Sequence, residues 1–202
     1  MNRYWADVSN NNTQTINWDQ YAKVGQHVLV GLKATEGTTF LDRTHAARSE
    51  GAHKAGVWVV HYHFAHPNES AVSQARFFWA QIKGHFAAKD FACIDIEVAD
   101  GRSNQEIASF VGVFKNEFER ISGHSLIGYS SESFHAGIGS CGIKRWWLAA
   151  YGLHEPRGAW AWQFTDGSIG PQPHSCAGIG HCDVSQLNWA TYLRLRLSKP
   201  KV

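Results

Sequence analysis

Phe91-Ala92-Cys93-Ile94-Asp95-Ile96-Glu97 opens with four apolar residues and closes on two carboxylates separated by a single isoleucine. A short, continuous apolar run is what a strand covered on both faces requires, and such strands belong to parallel sheets with helices packed outside them. The chain beyond it supports that reading. From Asn104 to Ile121, the residues Ile107, Phe110, Val111, Phe114, Phe118 and Ile121 recur at helical spacing. Ser103 and Glu106 form a capping box ahead of them, and Gly123 stands where a helix would end. Ser125–Tyr129 then reads as the next strand, so the segment is a strand–helix–strand unit.

Working outward, strands are expected at Arg3–Val8, His27–Lys33 and Gly56–Phe64 on one side, and at Trp146–Tyr151, Trp160–Phe164 and Cys182–Val184 on the other. Val72, Ala75, Trp79 and Ile82 give a second amphipathic helix. Asp42–Ala55 and Leu187–Leu197 are weaker helical candidates. No helix is evident between the strands at Trp146, Trp160 and Cys182, where Gly, Pro and Ser dominate. Five β–α units followed by three closely linked strands predict an α/β fold, a modified TIM-like (β/α)5(β)3 barrel. An open α/β sheet is the alternative. With 202 residues and no linker or repeat, residues 1–202 read as a single domain without a separate binding module, ending in a loose tail from Ser198.

Composition narrows the function classes. A net charge of +2 falls short of a nucleic-acid footprint, and no apolar stretch reaches the ~20 residues of a membrane span. The start, Met1-Asn2-Arg3-Tyr4-Trp5, lacks the apolar core of a signal peptide. Cys93, Cys141, Cys176 and Cys182 contain no C-x-x-C pair and are read as free thiols. Nine Trp are many, since each buried indole N–H needs a partner. They fill either a core or a cleft for the apolar faces of sugars.

Barrel active sites lie at the carboxyl ends of strands. The polar residues there are Asp7 on the first strand, Lys33 and Glu36 on the second, and Tyr62 and His63 on the third. Asp95 and Glu97 follow on the fourth, Tyr129 on the fifth, Trp147 and Tyr151 on the sixth, Trp162 and Gln163 on the seventh, and Asp183 on the eighth. Asp95 and Glu97, two apart on a strand, project from one face with Cα atoms ~6.5–7 Å apart. Two such carboxyls in unlike surroundings can divide acid and base work, as glycosidic cleavage demands. Taken alone, the triplet also fits a solvated strand end.

The ordered series Tyr4-Trp5-Ala6-Asp7-Val8-Ser9, Lys33-Ala34-Thr35-Glu36-Gly37, Tyr62-His63-Phe64-Ala65, Asp95-Ile96-Glu97, Trp147-Leu148-Ala149-Ala150-Tyr151, Trp162-Gln163-Phe164-Thr165 and Cys182-Asp183-Val184 resembles glycoside hydrolase family 25. These are the Chalaropsis-type lysozymes, among them many bacteriophage endolysins. The resemblance implies cleavage of the β-1,4 bond between N-acetylmuramic acid and N-acetylglucosamine. It casts Glu97 as general acid and then base, and Asp95 as the group that holds the substrate N-acetyl group or stabilises the anomeric charge. Asp7 and Asp183 are cast as the acids that border the cleft, and Tyr62, Tyr129, Trp147, Tyr151, Trp162 and Gln163 as substrate-binding residues. It implies retention through the substrate's own acetamido oxygen, no cofactor, and bacterial peptidoglycan as the partner of a monomer. Release from the host cytoplasm by a holin follows if the chain is a phage lysin, and non-classical secretion otherwise.

Other features have structural readings. His61, His63 and His66 are expected to be hydrogen-bonded barrel histidines rather than metal ligands. Lys33 and Glu36 are read as an ion pair inside the barrel. Arg194, Arg196, Lys199 and Lys201 are read as a solvated basic face, with attraction to the wall as the alternative. Two rival functions stand beside the muramidase: a glycan-binding barrel without catalysis, and a hydrolase of chitin-type polymers.

Overall fold

The computed structural model describes residues 3–12, 15–152 and 154–197. Lys199, Lys201 and the rest of the tail lie outside the described residues. Eight strands close into a barrel. They are β1 Tyr4–Val8, β2 Leu29–Glu36, β3 Trp58–Phe64, β4 Phe91–Asp95, β5 Leu126–Ser131, β6 Trp146–Ala149, β7 Ala161–Thr165 and β8 Asp183–Leu187. Among the described residues, five α-helices accompany them: α1 His45–Lys54, α2 Ala71–Ile82, α3 Asn104–Ser122, α4 Glu132–Ile138 and α5 Trp189–Leu197. The expected α/β barrel is the fold found. No helix among the described residues is long and apolar enough to cross a membrane.

From β1 to β7 successive strands pair in parallel. β8 instead runs antiparallel to both β7 and β1. After β7 no helix carries the chain back across the barrel, so the next strand must start at the end where β7 stopped. Asp183 therefore opens its strand rather than ending it, which corrects the sequence reading while keeping the residue at the same mouth.

The helix boundaries follow local chemistry. Ser103 and Glu106 form the expected reciprocal cap of α3, and Gly123 terminates it with φ 72°. Ser70 caps α2 and Ser131 caps α4. The sequence reading placed no helix at α4, because seven residues including Gly137 carry no apolar stripe. The buried residues of α1 are His45, Ser49 and Ala52, a small and polar seam that explains its weak hydrophobic signal.

Alternation along the strands divides the core. Phe91 and Cys93 of β4 face the barrel interior with Trp5, Leu29, Ile127, Trp147, Ala161 and Leu187. Tyr192 and Leu195 of α5 close that interior from below. Ala92 and Ile94 point outward, where Phe78 of α2 and Phe110, Phe114 and Phe118 of α3 cover them. The interior is thus a packed plug, and only its upper layer is polar.

Candidate active site

Continuing the inward series one step up each strand gives the polar layer. Asp7 follows Trp5, Asp95 follows Cys93, Tyr129 follows Ile127, and Gln163 follows Ala161. With Lys33, Tyr62, Glu97 and Asp183 they line a pocket of about 170 Å3, at whose edge stand Ser9, Asn11 and Phe64. A glycine makes room for one of them: a Cβ on Gly31 would stand 2.6 Å from the Cβ of Asp7.

Asp95 and Glu97 share the pocket face, as their spacing requires, and their carboxyls are hydrogen-bonded to each other. β4 ends at Asp95, so Glu97 lies just past the strand, exposed at the rim, while Asp95 is 5% exposed. Burial, then the adjacent Glu97 carboxyl, push Asp95 well above the usual carboxylate range. Desolvation also raises Glu97, but its hydrogen bond to Asp95 and the Lys33 ammonium oppose the rise. Both carboxyls are thus pushed towards the protonated form, and their titrations are linked. Oδ1 of Asp95 is buried without a hydrogen-bond partner.

Asp7 and Asp183 face each other directly across the antiparallel β1–β8 pair. Burial and then Asp183 raise Asp7 well above its ordinary value. Asp183 is raised to about 6 by desolvation and by Asp166 and Glu97. Gln163 lies between them: its Nε2 donates to Asp7 Oδ2 at 3.1 Å and to Asp183 Oδ2 at 3.4 Å. Its Oε1 accepts from the Tyr129 hydroxyl at 2.7 Å and the Tyr151 hydroxyl at 3.2 Å. Every donor and acceptor of this buried amide is engaged. Gln163 joins the site as a scaffold for two acids and two phenols.

The aromatic assignments divide. Tyr62 and Tyr129 line the pocket. Trp147 reaches it only from the floor, 2% exposed, with its N–H donated to Ser185 Oγ at 2.9 Å. Tyr151 stands at the rim, 42% exposed. Trp162 is a correction. Adjacent strand residues face opposite ways, so with Gln163 inward Trp162 points outward. It packs on Phe164 at 5.5 Å and donates to the Ala150 carbonyl at 2.7 Å. Of the nine Trp, Trp5, Trp146 and Trp160 are likewise core residues, so the high indole content serves packing more than the pocket.

Lys33 and Glu36 form the expected ion pair at 2.5 Å. The sequence reading confined Lys33 to that structural role, whereas it also lines the pocket and lowers both Asp95 and Glu97. Its inward parity, two past Gly31, was the available signal. Ser9 and Asn11 had no comparable signal, since loop residues have no period, whereas Phe64 lies on β3 two positions past Tyr62 and shares its parity. His61 and His63 point away from the pocket. His63 donates from Nε2 to Gln74 Oε1 at 2.9 Å and accepts at Nδ1 from the Thr35 hydroxyl at 2.8 Å, the tautomer that the other bonds of Gln74 dictate.

The family model for glycosyl hydrolases family 25 matches residues 6–172. An autolytic lysozyme of Clostridium acetobutylicum is 32% identical over 131 residues, 63% of this chain and 39% of its own length. Lysozyme M1 of Streptomyces globisporus is 24% identical over 156 residues, covering 70% of this chain and 53% of the relative. The chain thus spans about two-fifths to just over half the length of these curated relatives. Among solved structures, the bacterial lysozyme from Streptomyces coelicolor superposes with TM-score 0.79 at 22% identity, covering 96% of this chain and 97% of that one. The catalytic domain of endolysin ply40 from bacteriophage P40 of Listeria monocytogenes gives 0.78 at 18% identity and 98% coverage of both chains. These likenesses establish the barrel, and the family match, which takes in Asp7, Asp95, Glu97 and Gln163, establishes the lineage: this chain belongs to glycosyl hydrolases family 25.

Proposed function

We propose that the chain is an N-acetylmuramidase that hydrolyses the β-1,4 bond between N-acetylmuramic acid and N-acetylglucosamine in bacterial peptidoglycan. The observation that carries this reading is the Asp95 and Glu97 pair in one pocket, both raised by burial, with Oδ1 of Asp95 buried and unpartnered. An acetamido N–H donated to that oxygen favours ionised Asp95, and the nearby carboxylate then favours the protonated form of Glu97. Glu97 then protonates the leaving glycosidic oxygen as the C–O bond breaks. The acetamido oxygen closes on the anomeric carbon, and the Asp95 carboxylate offsets the positive charge of the oxazolinium that forms. Water opens that ring with Glu97 taking its proton, so the anomeric configuration is retained. Tyr62 and Tyr129 border the sugar, and Asp7 and Asp183 keep the flanks of the cleft acidic. In this reading the chain acts as a monomer, as a lysin held in a host cell until a holin releases it to the wall.

Glu97→Gln is the direct test. The amide cannot donate the proton that the leaving group needs, so turbidity clearing of permeabilised cells should fall at least ~100-fold while binding to purified walls persists. Normal lysis by the variant would remove Glu97 from its role. Loss of wall binding together with activity would mean misfolding, which a thermal melt identifies. Product mass spectra with muramic acid at the new reducing end separate this activity from chitin-type cleavage. An inverted anomer in the NMR spectrum would exclude acetamido participation.

A further inference from the structure

The barrel is charged oppositely at its two ends. The mouth gathers Asp7, Asp95, Glu97 and Asp183. The opposite end gathers Lys89, Arg145 and Arg194 around a cleft of about 350 Å3, with Ser125 and His124 in its wall. Arg145 directly precedes β6, Arg194 lies on α5, and Lys89 leads into β4. Arg145 and Arg194 also line an adjoining hollow of about 370 Å3, so both arginines border the two hollows.

Neither guanidinium takes part in a salt bridge among the described residues. Arg145 lies over the Phe91 ring at 5.6 Å, and both burial and the like charge of Arg194 disfavour its protonated form. Among the described residues, Asp90 is the one carboxylate in the cleft wall. Its oxygens are taken by the Val59 and Ala87 N–H groups and by the His53 and His61 rings. Two cations held together in a concavity, one of them partly desolvated, raise the energy of the fold unless an anion compensates them.

We propose that this cleft is a binding site for a phosphate group carried on a phosphodiester polymer. Guanidinium forks match the tetrahedral oxygens of phosphate bidentately, and the Ser125 hydroxyl can donate. Two adjoining hollows that share the same arginines suit successive units of a chain better than one free ion. The site is independent of the muramidase reading, and it would leave the carboxylate mouth facing away from the bound polymer.

Isothermal titration at low ionic strength tests it, with inorganic phosphate, a glycerol-phosphate oligomer and a poly-glutamate of equal charge as probes. Wild-type protein should bind the oligomer, and Arg194→Gln and Arg145→Gln should each weaken it roughly tenfold. Arg194 is exposed, so its variant should keep the wild-type melt and report binding alone. Retention of full affinity by both variants, or no heat with any phosphate probe, overturns the site. Equal affinity for poly-glutamate overturns phosphate as the ligand, and equal molar affinity for inorganic phosphate overturns the polymer as its source. Cleavage of a soluble glycan oligomer by the same variants should match wild type. Its absence from the wild-type protein would count against the muramidase and not against the anion site.

Discussion

Gln163 shows how a single amide can hold two acids and two phenols in register. Gln163→Leu removes the donor from Asp7 and leaves the buried Tyr129 hydroxyl without its acceptor. Stability should fall by about 2 kcal/mol in urea denaturation, with activity reduced as the acids lose their orientation. Asp183 carries the opposite expectation. Its pKa is raised from 3.8 to about 6, so the native state binds its proton more tightly than the unfolded chain does. That contribution is complete below 3.8 and is lost as the pH rises through about 6. Above that range the folded protein carries the repulsion between Asp183 and its acidic neighbours. Asp183→Asn should therefore stabilise the protein by about 1 kcal/mol at pH 7–8, allowing for partial solvent screening, and the gain should vanish near pH 4. A melt series over that range reads it directly. An equal gain at every pH would point to packing instead.

The helices differ in how they are held. α3 has an apolar face, a capping box and a left-handed glycine, so its cap adds to an already packed element. Ser103→Ala should lower stability by about 1 kcal/mol in urea without touching activity, since the cap lies on the outer layer. α1 is anchored by polar bonds: His45 Nε2 meets His61 Nδ1 at 2.7 Å, and His61 Nε2 meets Asp90 Oδ2 at 3.1 Å. With Asp90 ionised, held near 2 by its His53 and His61 bonds against the opposing effect of burial, His61 donates from Nε2 and accepts from His45. This orders the seam under α1 only while both rings are neutral. α3 is legible in the amino-acid pattern because its signals are local and redundant. α1 is faint there and α4 leaves no trace, because their stability comes from partners on other elements.

For the whole molecule, buried histidines and clustered acids set opposite pH limits. Burial lowers His45 to about 2 and His63 to about 4. For a depressed histidine the folded state favours the neutral ring, so stability is present above the ordinary value near 6.5 and drains away as the pH falls towards those values. The raised carboxylates of the mouth act in the other direction and penalise the fold as the pH rises. The melting temperature should therefore peak near about pH 6, falling on both sides in a scan from pH 4 to 9. A melting temperature still climbing at pH 8 would contradict that balance.

Whatever depends on neighbours along the chain is written in the order of the residues. That covers the eight strand segments, the capped α3, the shared face of Asp95 and Glu97, and the ordered motifs that resemble the family. Period-two alternation is local, so it travels with the residues. Closure of the barrel was needed to make β8 run backwards, to bring Asp7 to Asp183, and to turn Gln163 rather than Trp162 towards the pocket. It also settled which member of the acid pair is the more buried, and set Arg145 beside Arg194. These facts join residues far apart in the chain, as in the Gln163–Asp7 bond across 156 positions. No local pattern selects such partners, because the free energy of each pairing exists only once the intervening strands are in place.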